Sequence, residues 1–573
     1  MPILRSARRI RFGFFEVDAN TGELRREGIK VRLQEQPLQI LQILLEHPGE
    51  VVTREELRKR VWPTDTFVDF DHGINNAIKR LREALADSAE TPKFVETVAR
   101  RGYRFIGRLE ATAGGMESLA VLPLENLSHD PEQEYFADGL TDSLITQLAR
   151  ISALRVVSRT TAMHYKRIHR PLPEIARELG VSKIVEGTVQ RSGGRVRVTA
   201  QLVEASTDTH LWADSYERDL RDVLSLQSEL ARAIVKEVQV KLTPQEQAHL
   251  ARANRVDPEA YDAYLKGRYY SQRRGDALRK GVQCFEHAIE KDPTFAAAYA
   301  GLADCLSLLG WWAFVPPAEG CGKAKEVALK AIQLDENLGE AHASLAWATV
   351  HYDYDFALAE REYRKCIELS PRHATGHQWF GLYLTMVGCH EEGLEALKTA
   401  IRLDPFVPII NGCLAWGYWL ARRQDDHIEQ LEKTLELDPN FAPVNWGLGL
   451  GYLEKGMYEP AIAAMQKSVQ LSQRAPIFVS LLGEAYAVAG RREDAQEILD
   501  ELKETAKQRY VTPYVLARIF TALNEKDEAF RLLEKAFREH AAWTAFMKSD
   551  PRLDNLRSDP RFGDLLRRMN FPE

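Results

Sequence analysis

Cysteine is scarce in this 573-residue chain, and the six present all fall between Cys284 and Cys413. No two form a C-x-x-C pair, which excludes the common zinc and dithiol spacings. Each lies in a helical-looking stretch beside Ala, Leu or Ile, so all are expected as small buried thiols in a reducing compartment. Long apolar runs are lacking too. The N-terminal "MPILRSARRIRFGFFEV" has cations but no apolar core behind them, so no export signal is expected. The stretch Phe295–Pro317 comes nearest to a membrane span, but it contains Asp304 and fits a repeat described below. A soluble cytoplasmic protein with no membrane contact is expected. Positive charge is also short, with 76 Lys and Arg against 83 Asp and Glu. The deficit is uneven. Residues 1–110 hold 20 basic against 17 acidic residues, and the remainder 56 against 66. The composition is otherwise ordinary for globular protein, 45% hydrophobic and 28% charged, at a length that allows several domains.

The small basic surplus draws attention to "DFDHGINNAIKRLREAL", Asp69–Leu85. At 100° per residue, Ile74, Ile78, Leu81 and Leu85 share one narrow arc, flanked by Ala77 and Ala84. The remaining face carries Asn75, Asn76, Lys79, Arg80 and Arg82. Amides can pair bidentately with adenine, and guanidinium groups with guanine or phosphate. An ordinary solvated amphipathic helix is the competing reading, so the neighbours must decide. Upstream, "FGFFEV" and "GELRREGIKVRL" read as strands, the second turning at Glu27-Gly28. "EQPLQILQILLEHPG" reads as a helix ended by Pro48-Gly49. "TREELRKRVWP" offers a capping box, with Thr53 as N-cap and Glu56 three residues on. Downstream, "FVETVARRGYRFIG" reads as a hairpin turning at Arg100-Arg101-Gly102.

Strands, three helices and a basic-tipped hairpin, in this order and spacing, resemble the winged helix-turn-helix domain of OmpR/PhoB-type transcription regulators. The carriers are "VVTREELRKRVW", "INNAIKRLREAL" and "FVETVARRGYRF". The resemblance covers about residues 10–108 and implies binding to double-stranded DNA. It places Asn75, Asn76, Lys79, Arg80 and Arg82 on the helix that enters the major groove. It makes Thr97 a phosphate-contacting wing residue and sets Arg100 and Arg101 at the wing tip. Two departures stand out. Ala99 sits where some members carry arginine, and Glu83 interrupts the basic face, where an anion would repel phosphate. "PTDTFVDFDHG", Pro63–Gly73, resembles the loop that touches RNA polymerase in some relatives; a solubilising acidic loop is the alternative.

After a Gly-rich linker at 111–117, residues 118–245 alternate strand and helix signals. "KIVEGTVQRSGGRVRVTAQLVEA" reads as a hairpin around Gly193-Gly194, with Val196, Val198, Ala200 and Leu202 in strict alternation. An α/β sandwich is expected. It resembles the TolB-like N-terminal domain of bacterial regulators and cyclase-linked proteins, a family without common chemistry. "SGGR" is a hairpin tip, unlike a phosphate loop, which joins strand to helix. His129, Asp130 and Glu132 lack metal-ligand spacing with a second histidine. No catalytic residue, cofactor or metal is expected, and the chain does not read as an enzyme.

From about Asp257 the chain repeats. Pro371, Pro405 and Pro439 are 34 residues apart, and so are Gly381, Ala415, Gly449 and Gly483. Gly388, Arg422, Gly456 and Gly490 form a third such series. A period of 34 with small residues at fixed offsets is the tetratricopeptide signature. About eight repeats are expected over 255–541, with 542–573 as a C-terminal cap. "GWWAFVPPAEGCG" stretches one repeat, and Trp311 and Trp312 are expected to pack on the array. Such arrays bind protein partners or self-associate. The fold class expected is therefore multidomain: a winged helix (α+β) at 1–110, an α/β sandwich, and an all-α tetratricopeptide solenoid. The function expected is DNA-binding transcription regulation, the alternative being an interaction scaffold without specific DNA binding.

Overall fold

The structure is a computed structural model. It describes the chain outside residues 1–8, 13–14, 19–22, 27–28, 32, 62–69, 86, 91, 99–100, 108, 111–116, 129, 131–132, 169, 193, 252–255, 272–275 and 573. It divides into two compact units, Met1–Glu117 and Ser118–Glu573.

The first unit opens with strands β1 (Arg9–Phe12), β2 (Phe15–Asp18), β3 (Leu24–Arg26) and β4 (Ile29–Lys30). Arg26 pairs with Ile29; the Glu27-Gly28 turn read from sequence lies outside the described residues. Helices α1 (Glu35–Glu46), α2 (Arg54–Val61) and α3 (Phe70–Leu85) follow, with β5 (Val51–Thr53) between the first two. The hairpin β6 (Val95–Val98) and β7 (Gly102–Phe105) and a final short β8 (Leu109–Glu110) complete it. Two sheets result, ordered β4-β3-β2-β1-β8 and β5-β7-β6. The capping box forms, with the Glu56 backbone N–H donating to Thr53 Oγ1 at 3.2 Å. Gly102 is demanded by packing, because a Cβ there would lie 2.0 Å from the Val52 carbonyl oxygen on β5.

In the second unit a sheet is built from β9 (Glu117–Val121), β10 (Glu125–Asn126), β11 (Leu154–Val156), β12 (Lys183–Ser192), β13 (Arg195–Glu204) and β14 (Thr209–Asp219). Its order is β11-β9-β12-β13-β14, with β10 also on β12. Val196, Val198, Ala200 and Leu202 are all fully buried, and the alternation breaks at a bulge between Leu202 and Val203. Helices α4 (Glu134–Ala149) and α7 (Val223–Val238) share one core with this sheet. Helix α6 (Leu172–Leu179) belongs to a second, smaller core around Tyr165, Ile175 and Ile184, whereas α5 (Arg159–Met163) gives Ala162 to the larger one. The larger core also takes in Ala260, Tyr261 and Leu265. The sheet and the first repeat helix therefore share packing.

Among the described residues, eight helix pairs run from Pro258 to Arg538. The 34-residue series has a steric cause. A Cβ on Gly381 would lie 2.7 Å from Leu397 Cγ and 2.8 Å from the Gly393 carbonyl oxygen of the paired helix. Gly388, Gly456 and Gly490 take positive φ at the turns, and Arg422 takes φ 62° at the same place. The cysteine expectation needs correction. Cys305, Cys321, Cys366 and Cys413 are buried, but Cys284 is half-buried and Cys389 is exposed. Cys389 stands at the N-cap of helix His390–Leu403, a position outside the apolar seam.

The C-terminal segment does more than cap. Helix Pro560–Arg568 does pair with the last repeat, through Arg568–Glu534 at 2.8 Å and Arg561–Asp527 at 2.8 Å. Residues 541–556, however, lie against the first helices of earlier pairs. Trp543 stacks on Trp311 at 4.4 Å and also meets Trp416 and Trp446. Arg552 lies over the Trp419 ring at 5.0 Å. Trp312, in the stretched repeat, stacks on Phe478 five pairs further on. The first helices therefore curve around this segment, and the tryptophans do pack on the array. Among the described residues no helix is long and apolar enough to cross a membrane.

Candidate nucleic-acid interface

The face of α3 read from sequence is divided as its periodicity requires. Ile74, Ala77, Ile78, Leu81 and Leu85 are buried in the core of the first unit. Asn75, Asn76, Lys79, Arg80 and Glu83 are exposed, and Arg82 is half-buried.

These polar groups are not equivalent. Asn75 Oδ1 accepts from Arg54 Nη2 at 3.0 Å and from the Tyr103 hydroxyl at 2.9 Å. Arg54 Nη2 also donates to the Tyr103 oxygen at 2.9 Å, and its guanidinium lies 5.4 Å from the Tyr103 ring centroid. This triangle ties α2, α3 and β7 together. Arg82 reaches the wing, donating through Nη2 to the Val95 carbonyl at 2.6 Å and to Thr97 Oγ1 at 2.9 Å. Its Nε donates to the same carbonyl at 3.2 Å. Thr97 Oγ1 thus accepts a hydrogen bond from within the protein. Arg80 donates to the Gln34 side-chain oxygen ahead of α1. Asn76 and Lys79 make no side-chain hydrogen bond or ion pair among the described residues.

The wing places Arg101 exposed at its tip, beside the Val98–Gly102 pair that closes the hairpin. Arg100 and Ala99 lie outside the described residues, as does most of the loop 63–73. Arg104 pairs with Glu96 at 2.6 Å across the hairpin. On α2, Lys59 holds the Glu55 carboxyl below its ordinary range by hydrogen bond and charge, at 2.8 Å.

Three positioning residues are not singled out by the sequence reading: Arg54, Tyr103 and Asp87. The Asp87 carboxylate accepts from the backbone N–H groups of Lys93, Phe94 and Val95 at 2.6, 3.1 and 2.8 Å. It fixes the connection from α3 to the wing. An aspartate just after a helix C-terminus could have been read as an anchor for following backbone amides; the partners of Arg54 and Tyr103 are too distant in sequence to read. Among the described residues no group of three or more His, Cys, Asp or Glu is placed to hold a metal.

The arrangement can present amides and cations to a duplex from a helix braced by two others, with a hairpin alongside. Fold and site define a class: the winged helix-turn-helix DNA-binding domain of transcription regulators, joined on one chain to tetratricopeptide repeats. Comparison with known proteins agrees. Residues 28–105 match the family model described as "Transcriptional regulatory protein, C terminal", and residues 284–313 one described as "Tetratricopeptide repeat". Among curated relatives, "Putative adenylate cyclase 3" of Rhizobium meliloti is 37% identical over 40% of this chain and 40% of its own length. "Transcriptional regulator HilA" of Salmonella typhimurium is 24% identical over 67% of this chain and 68% of its own. "Cholera toxin homolog transcriptional activator" of Vibrio parahaemolyticus is 40% identical over 17% of this chain and 34% of its own. The chain thus spans well under half of the first relative's length.

Proposed function

We propose that this chain is a cytoplasmic transcription regulator whose winged helix reads double-stranded DNA and whose repeats receive a protein partner or self-associate. The observation that carries the reading is the match over residues 28–105 to a regulator family, on a helix whose outer face keeps Asn76 and Lys79 open. In this reading Asn76, Lys79 and Arg80 contact DNA from α3, and Arg100 and Arg101 contact it from the wing. Asn75, Arg82 and Thr97 act mainly by holding α3 and the wing in register, given their hydrogen bonds within the unit. Glu83 marks where contact ends. The domains proposed are 1–110, 118–245, 255–541 and 542–573, with a linker at 111–117. The middle domain is TolB-like and relays or senses a signal, and the loop 63–73 is the surface offered to RNA polymerase.

The reading is tested by gel-shift titration of the full chain on its best selected site at fixed salt. Arg80→Ala should weaken specific binding by about 1–3 kcal/mol. Unchanged affinity would remove Arg80 from the interface. One observation favours the scaffold alternative: residues 1–110 carry 20 basic against 17 acidic residues, a thin surplus for a phosphate-binding surface. Failure of the full chain to enrich any motif from a random duplex library would favour it. The name of the R. meliloti relative raises a cyclase reading; among the described residues no group of three or more His, Cys, Asp or Glu is placed to hold a metal.

A further inference from the structure

The concave face that tetratricopeptide arrays offer to partners is covered in this chain from two sides. The sheet module leans on one side: Arg150 pairs with Glu340 at 3.4 Å, Ser158 Oγ donates to Asp404 Oδ1 at 2.6 Å, and His164 stacks on Phe406. Residues 541–556 lie along the other, led by Trp543. Between them remains a cavity of about 890 Å³. That size, at a junction of two modules, suits a small organic molecule.

Its walls differ in chemistry. One is aromatic. Trp311, Trp347, Trp379, Trp416 and Trp446 stand on successive first helices of the array, and Trp543 joins them. Their rings touch in a run, with Trp311–Trp347 at 5.0 Å, Trp347–Trp379 at 4.7 Å and Trp416–Trp446 at 5.1 Å. Such a wall favours a further flat ring, because aromatic pairs gain from ring geometry beyond the area they bury.

The other wall is ionic, with cations in excess. Arg268, on helix Pro258–Ser271, pairs with Asp142 at 2.7 Å, and Arg159 lies 3.8 Å from the same carboxylate. In each pair the cation is the more open member. Side-chain accessibility is 33% for Arg268 and 20% for Arg159 against 10% for Asp142, and 20% for Arg150 against 16% for Glu340. Arg372, ahead of helix Ala374–Val387, is pushed below its ordinary pKa by burial and by the nearby charge of Arg155. Four guanidinium charges thus stand against the three carboxylates of Asp142, Glu340 and Asp404, the last already accepting from Ser158 and Thr161. Burial pushes the Asp304 carboxyl up to about 7, and an anion bound beside it favours its protonated form. Asp438, further along the lining, accepts from the Asn440 backbone N–H at 3.0 Å.

We infer that this cavity binds an aromatic monocarboxylate, with its ring system against the tryptophans and its carboxylate against the arginines. A guanidinium fork matches a carboxylate through two parallel hydrogen bonds. A cation meets an excess of like charge there, and a dianion brings more charge than the excess takes up. The site does not rest on DNA reading by the first unit, and its test involves no DNA.

The test is isothermal titration calorimetry of the full chain at neutral pH with three probes. They are naphthalene-2-carboxylate, its uncharged isostere naphthalene-2-carboxamide, and octanoate, which carries the carboxylate on a flexible aliphatic chain. Gly412 lines the cavity, and a Cβ there would meet nothing closer than Phe441 at 4.0 Å. Gly412→Phe therefore fills the space without removing a contact, and Gly563→Phe, on an open surface of the last helix, is the control. Saturable binding of naphthalene-2-carboxylate at least tenfold tighter than either other probe, lost in Gly412→Phe and kept in Gly563→Phe, is expected. Absence of saturable binding to the unaltered chain overturns the inference, and so does binding undiminished in Gly412→Phe. Equal affinity for the carboxamide overturns the charge requirement, and equal affinity for octanoate overturns the aromatic one; either removes the ligand class. Circular dichroism checks the fold of each variant, and Gly412→Leu carries the same test should the phenylalanine prove too large.

Discussion

Arg82→Ala separates two roles that sequence pattern alone cannot tell apart. If Arg82 holds the wing, its loss removes three hydrogen bonds, to the Val95 carbonyl and Thr97 hydroxyl. Hydrogen bonds from a charged donor contribute roughly 1.5–3 kcal/mol each when buried, and much less when water can replace them. Arg82 is half-buried and two of its bonds share one acceptor, so the expected cost is about 1–2 kcal/mol for the first unit. Urea unfolding of the 1–117 fragment, which has its own core, measures it. Arg82→Lys should recover part of the loss, since an ammonium can reach one acceptor but cannot fork between two. The salt dependence of DNA binding gives the second readout. Removing a phosphate contact lowers the slope of log K against log salt by about one, as expected for Lys79→Ala. Arg82→Ala should leave that slope unchanged. Full stability combined with a slope reduced by one would refute the bracing role and return Arg82 to the phosphate backbone.

Three further outcomes are expected in the second unit. Asp550 is fully buried, accepts from Tyr514 at 2.8 Å and pairs with Arg552 at 2.7 Å beside Arg518 and Glu484. Asp550→Ala leaves buried guanidinium groups uncompensated and should cost about 3–5 kcal/mol in chemical denaturation; less than 1 kcal/mol would mean that the cluster is solvated. His351 is fully buried against Trp347 at 4.2 Å, and burial lowers its pKa to about 3. A depressed folded pKa means the unfolded chain binds the proton more readily, so stability is lost as pH falls below the unfolded value near 6.5. The loss reaches about 2 kcal/mol at pH 5, and His351→Phe should remove that share of the slope in melting curves between pH 7 and pH 5. Gly381→Ala forces a methyl against Leu397 and the Gly393 backbone and should lower stability by about 1–3 kcal/mol, read by thermal melting.

Local periodicity was readable because it has local causes. The buried stripe of α3, the Thr53 cap, the β12–β13 alternation and the 34-residue glycine series each follow from one element or one helix pair. Long-range pairings were not readable. Asn75 and Arg82 carry the residue types of base readers, but whether such a group faces outward depends on partners 15 to 28 residues away, such as Thr97 and Tyr103. The same limit hid the path of residues 541–556. Their composition is apolar, with two basic and two acidic residues, which fits a terminal cap. Only the curvature of the array brings Trp543 to Trp311, 232 residues earlier in the chain. The exposure of Cys389 was lost for a simpler reason, since a helix N-cap falls between the apolar positions that the pattern detects.

The central claim is that the first unit reads DNA sequence. Selection of bound fragments from a random duplex library by the full chain, at one fixed salt concentration, tests it most directly. Enrichment of a single motif bound at least about 10³-fold more tightly than random duplex is expected. Asn76→Ala should relax one position of that motif, while Lys79→Ala should weaken all sequences alike. Recovery of no motif, with binding that only follows salt, would contradict the claim.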